Sequence, residues 1–144
     1  MAAKGQLTGM RGVYLVAAEM SRLGLIASPT SRSAQGADIL VTTGDCKRAF
    51  SVQVKTNARF FRHWLAGKDI PVSRTHIYVF VNLKANKKGI EAVDFYVVPS
   101  KEVAKRVGLF KGANGAELRP FLIKHAHKYR NNWKLFGPFP GKSG

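Results

Sequence analysis

The sequence predicts an α/β chain, a mixed sheet flanked by helices, and three observations carry that reading. Near the N-terminus, Val13, Val16, Ala17 and Met20 fall on one face at helical spacing. Further on, runs rich in β-branched and aromatic residues come in two pairs, each pair joined by a polar turn. A short helical stretch and a basic, aromatic tail then close the chain. With 144 residues and 45% hydrophobic content, the chain forms one domain with an ordinary core.

The elements follow in order. Residues 1–8 are small and polar and are expected to fray. Thr8 is placed to cap a helix from about Gly9 to Leu23, which Gly24 ends. Glu19 is the only acid on this helix, and Arg22 lies at i+3 from it. Residues 25–28 read as a short strand stopped by Pro29. The polar stretch 31–36 then leads to Asp38, and its Arg32 is either a phosphate contact or part of an ordinary solvated loop.

From Asp38 to Lys55 the pattern is a hairpin, turning at Gly44-Asp45. In its second strand Phe50, Val52 and Val54 alternate with Ser51, Gln53 and Lys55, so Gln53 and Lys55 must share a face. If the two runs pair, Asp38 sits beside them. A carboxylate, an amide and an ammonium would then converge. A carboxylate can hold Mg²⁺ that also takes phosphate oxygens, and a nearby lysine can orient water and offset transition-state charge. A plain hairpin with a polar outer face has the same alternation.

Arginines and aromatics interleave over residues 57–68. Phe60, Phe61, Trp64 and Leu65 suit either base stacking or one buried helical turn, with Arg59 and Arg62 outside on phosphates. His63 has no Cys or second His nearby to make a zinc site. Residues 75–83 form the strongest strand, nearly continuously apolar and so expected inside the sheet. A basic turn at 84–89 leads to a return strand at 92–98, in which Asp94 reads as structural. Ser100 then caps a helix reaching about Val107, with Glu102 in its first turn. Residues 108–115 are Gly-rich but lack the spacing of a phosphate-binding loop.

From about residue 117 the chain reads as a basic C-terminal extension. Beyond Glu117 there is no acid, while Lys124, Lys128, Arg130, Lys134 and Lys142 alternate with aromatics. Residues 122–135 are expected to be helical, with Trp133 and Phe136 packing back. Overall, 24 Lys and Arg against 8 Asp and Glu leave +16. Such an excess points to a polyanion, nucleic acid before an anionic membrane surface. No apolar run approaches the roughly 20 residues of a membrane span. A single cysteine, Cys46, and no signal peptide fit a cytoplasmic protein.

Asp38, Gln53-Val54-Lys55 and the preceding helix with Gly9-Met10-Arg11-Gly12-Val13 resemble the PD-(D/E)XK nuclease superfamily. Its Holliday-junction-resolvase-like and restriction-endonuclease-like branches are nearest in pattern, over roughly residues 9–107. The resemblance implies a restriction-endonuclease-like fold and a Mg²⁺- or Mn²⁺-dependent endonuclease acting on DNA, with homodimers known among resolvase-like members. Carried over, Asp38 and Gln53 are the metal ligands, and Asp38, Gln53 and Lys55 the catalytic set. Arg32, Arg59, Arg62, Lys124, Lys128 and Arg130 are the expected nucleic-acid contacts.

Two positions depart from the family. A glutamate that commonly follows the second glycine of the helix is Val13 here, and Gln53 stands where an acid is more usual. Glu19, about 240° further round the helix from Val13, cannot replace that ligand. Metal affinity should therefore be weak. The alternatives are a nuclease-fold binding module without the chemistry, and a small basic RNA-binding protein of ribosomal type.

Overall fold

A computed structural model of the chain describes residues 4–31, 36–89 and 91–139. It is a mixed α/β domain. Helix α1 (Lys4–Arg22) leads into strands β1 (Ile26–Pro29), β2 (Ile39–Thr42) and β3 (Ala49–Asn57). After β4 (His63–Leu65) come β5 (His76–Ala85), β6 (Glu91–Pro99) and α2 (Ser100–Arg106). The chain finishes with β7 (Phe110–Lys111), β8 (Glu117–Leu118), β9 (Pro120–Leu122), α3 (Ile123–Ala126) and two 3₁₀ turns.

The main sheet has five strands in the order β1-β2-β3-β5-β6. β1, β2 and β3 form an antiparallel meander, β3 pairs parallel with β5, and β6 returns antiparallel to β5. Period-two alternation divides the strand residues between two cores. On one face Val52 and Val54 of β3 join Ile77, Val79 and Val81 of β5 under Val16 and Met20 of α1. Trp133 and Phe136 close that layer, Phe136 edge-on to Phe50 at 5.0 Å between centroids. On the opposite face Tyr78, Phe80, Tyr96 and Val98 pack against Trp64, Phe121 and Val103. β5 is buried on both sides from His76 to Leu83, as its apolar run requires, although β3 holds the middle of the sheet.

Several local expectations need correcting. α1 starts at Lys4, so residues 4–8 are helical. Thr8 is inside the helix, its hydroxyl donating back to the Lys4 carbonyl at 3.2 Å instead of capping. Residues 57–68 contain no helical turn, because His63–Leu65 pairs with Pro120–Leu122 as a two-stranded ribbon. Trp64 is buried, whereas Phe60, Phe61 and Leu65 are exposed. Ser100 opens α2 without capping it. Its buried hydroxyl donates to the Ser73 carbonyl at 2.8 Å and accepts from the Ser73 amide at 3.0 Å.

Residues 122–135 are not one helix either. Asn131 has a positive φ of 52°, its amide bonds to the Phe95 carbonyl at 2.9 Å, and Arg130 bridges to Tyr96. The sheet thus captures the tail midway, and the C-terminal segment contributes Phe121, Trp133 and Phe136 to the cores. Among the described residues, no helix is long and apolar enough to cross a membrane.

Candidate functional site

The site grows from a mismatch in strand length. β2 begins at Ile39, which pairs with Val52, while β3 runs on to Asn57. Beyond Val52 the edge of β3 that faced β2 loses its partner, and the Val54 amide would be left unpaired. Asp38 takes it: its Oδ2 accepts from the Val54 N–H at 2.8 Å and from the Gln53 amide nitrogen at 2.9 Å. The Asp38 backbone is fixed as well, donating to the Val52 carbonyl and accepting from Thr30, each at 2.8 Å. Among the described residues, no hydrogen bond reaches the second carboxylate oxygen, Oδ1.

Gln53 and Lys55 lie on the same face of β3, in register with Tyr78 and Phe80 of β5. Burial pushes the Tyr78 phenol up to about 12, so the neighbour of Gln53 on that face is neutral. Lys55 is half-buried and reaches toward the turn after β4. A Cβ added at Gly67 would lie 3.7 Å from its ammonium.

α1 contributes to the same opening. Gly12 lets the helix come so close to β3 that an added Cβ would overlap Thr56. That approach seats Val13 on the Val52 and Val54 face of the sheet, beside the edge where Asp38 sits, while Gln53 and Lys55 reach the same opening from the other face of β3. Together they line one open cleft of about 530 Å³. Val13 is among the residues lining the cleft and also packs against the core. Glu19 is engaged elsewhere, bonded to Arg22.

Asp38 is, among the described residues, the one carboxylate lining this cleft. Among the described residues, no group of three or more His, Cys, Asp or Glu side chains is placed to hold a metal ion. What Asp38 and Gln53 offer is a small set of hard oxygens. One carboxylate oxygen accepts no hydrogen bond among the described residues, and the Gln53 amide, bonded to Asp38 through nitrogen, has its carbonyl oxygen as a second donor. That suits a weakly held Mg²⁺-type ion, which keeps most of its waters and takes substrate oxygens. It does not suit a tightly bound structural ion.

The basic residues divide. Arg32 lies outside the described residues. Arg59 and Arg62 are exposed on the loop between β3 and β4. The Arg62 carbonyl accepts from Ile123 at 2.8 Å, which brings Lys124 of α3 alongside this loop. Lys128 is exposed beside the Tyr129 ring. Arg130 is committed instead to Asp94, at 2.8 Å. Asp94 is 5% exposed and also pairs with Lys84 at 2.7 Å, in keeping with the structural role read for it.

Sequence reasoning did not single out Asn57 and Asn82, whose side chains bond to each other and to the backbone of His63 and Phe61. Asn82 is an isolated polar residue in the most apolar strand, and that interruption was the available signal. No protein-family model matches the sequence, and a search of curated proteins likewise finds no match.

Proposed function

We propose that this chain is a nucleic-acid-binding protein of the PD-(D/E)XK nuclease type, with a restriction-endonuclease-like fold, that hydrolyses phosphodiester bonds in DNA. The single observation that carries the reading is the cleft. In a chain of net charge +16, Asp38, Gln53 and Lys55 meet along one opening, where β2 and β3 part beside α1.

In this reading Asp38 and Gln53 hold Mg²⁺ or Mn²⁺. Such an ion, when bound, supplies positive charge to phosphate oxygens and to the water beside them. The Asp38 oxygen offered to the ion is the one that neither Val54 nor Gln53 engages. Lys55 places an ammonium on the same strand face as Gln53. There it orients the attacking water and offsets charge developing on the phosphate. The wide surplus of cations draws the strand in without fixing its sequence.

A second reading is favoured by Val13 and the lone carboxylate in the cleft: a module that keeps the fold and binds nucleic acid without cleaving it. Incubating the protein with linear and branched DNA in Mn²⁺ separates the two. The nuclease reading expects new phosphodiester ends that disappear with EDTA. Intact DNA at every Mn²⁺ concentration, together with retained binding, would leave only the module.

A further inference from the structure

Loop 58–62 is an aromatic and basic surface loop fixed at its base. It joins β3 to β4 and carries Arg59, Phe60, Phe61 and Arg62, with Phe60 48% and Phe61 45% exposed. Two amides lock its base. Asn57 donates to the His63 carbonyl at 2.9 Å, closing the loop, and to the Asn82 side-chain oxygen at 2.9 Å. Asn82, fully buried, then grips Phe61 at both ends of its peptide, donating to its carbonyl at 3.0 Å and accepting from its amide at 3.4 Å. A polar side chain inside an apolar strand is costly unless every bond is made. Here those bonds fix the Phe61 backbone while its ring, edge-on to His63 at 5.2 Å, and that of Phe60 stay about half exposed, an arrangement that core packing does not require.

Cations flank the Phe60 ring. Lys84 Nζ stands 5.0 Å from the Phe60 centroid, and Arg59, Phe60 and Lys84 line a shallow groove. The acid in contact with this group, Asp94, is already paired with both Lys84 and Arg130. Half-exposed rings between Arg and Lys side chains match a ligand with flat π-faces and regularly spaced negative charge. A duplex hides its base faces within its own stack, whereas an unpaired strand exposes them.

We propose that loop 58–62 is a stacking platform for unpaired bases, and that the substrate is DNA carrying a single-stranded or unstacked segment. This rests on the nucleic-acid reading above and narrows it. Phe60 and Phe61 supply ring faces, Arg59 and Arg62 hold the flanking phosphates, and Asn82 and Asn57 are positioning residues that keep the loop rigid.

The test uses fluorescence anisotropy at fixed salt with three ligands: a twenty-nucleotide oligo-dT, a duplex of the same length, and an abasic deoxyribose-phosphate strand. The wild-type chain should bind oligo-dT at least about tenfold more tightly than the abasic strand. Phe60→Ala/Phe61→Ala should erase that difference and leave duplex affinity within about twofold. Phe60→Trp supplies a readout independent of that variant's folding, with its fluorescence quenched by oligo-dT and not by the abasic strand. Equal oligo-dT binding by wild type and double variant, or an unquenched Trp, overturns the platform.

So does a change of sedimentation from dimer to monomer in the double variant with oligo-dT affinity intact, which would make the rings a self-association face. Asp38→Asn keeps the oligo-dT preference if the platform is right, even should cleavage prove absent. Failure to bind any of the three ligands would sink the nucleic-acid reading itself, and the platform with it.

Discussion

Gly12→Ala tests how the cleft is built. In the folded chain a methyl at this position would meet Thr56 Oγ1 at 1.7 Å and Thr56 Cβ at 2.8 Å. Rotating Thr56 about χ1 could move its hydroxyl aside, but Cβ does not move with χ1. Restoring ordinary contact therefore requires α1 to lift from β3 by roughly 1 Å or more. Overpacking of this kind costs about 1–3 kcal/mol, and sometimes more. Against it stands the better helix propensity of alanine, worth about 1 kcal/mol. We expect a net loss of up to about 2 kcal/mol, or a melting temperature lower by up to about 8 °C for a domain of this size. Gly9→Ala is the matched control on the same helix. Nothing lies within 4 Å of its added Cβ, so it should gain up to about 1 kcal/mol from propensity alone. Urea unfolding of the two variants and the wild type measures both effects. If Gly12→Ala is as stable as Gly9→Ala, α1 does not seat on Thr56 and its side of the cleft is misplaced.

Further expectations involve other parts of the molecule. Asp94→Asn should lower stability by about 1–3 kcal/mol, because it removes the charge that holds Lys84 and Arg130. It should also tighten DNA binding by about two- to fivefold, since both cations become free; weaker binding would mean that they already contact phosphate through this arrangement. Val13→Glu puts a second acid in the cleft that Asp38 lines. It should melt lower without metal, recover with Mn²⁺ and cleave faster, whereas Val13→Gln should recover little; no metal response would make Val13 core packing only.

A pH expectation comes from His76, buried with its Nδ1 2.6 Å from Ser51 Oγ and its Nε2 unpartnered. Burial pushes this imidazole below its ordinary value. As pH falls, the unfolded chain takes up the proton first. The associated stability is thus complete above about pH 6.5 and is lost as pH falls toward the folded value. His125, lowered by burial and by neighbouring Lys124, Arg106 and Lys128, adds in the same direction. Melting temperatures measured from about pH 7.5 to 5 should decline, and His76→Gln should flatten the decline; a level wild-type profile would contradict it.

What the sequence made legible was periodicity. The alternation through Phe50, Val52 and Val54, and the unbroken apolar run after His76, are local signals that any sheet must respect, and the structure places both as read. The pairing of Asp38 with Gln53 was legible because a hairpin brings neighbours in sequence together. Non-local pairing was not legible. β4 is a strand only because Pro120–Leu122 comes back to it from over fifty residues away, so a helical turn was an equally good local reading of its aromatics. The tail misled for the same reason, since Asn131 leaves helical geometry to meet Phe95, a partner that no local pattern announces. Likewise the cap assigned to Ser100 was taken over by Ser73, far away in the chain.

Cleavage of branched and linear DNA by the wild-type chain and by Asp38→Asn, side by side in Mn²⁺ with binding followed in the same reactions, bears most directly on the cleft as a nuclease centre. Among the described residues Asp38 is the cleft's one carboxylate, held by Val54 and Gln53. The expected result is metal-dependent strand cleavage by the wild type, no cleavage by Asp38→Asn, and DNA affinity the same within about twofold. Equal cleavage by both proteins, or none by either with binding intact, would contradict it.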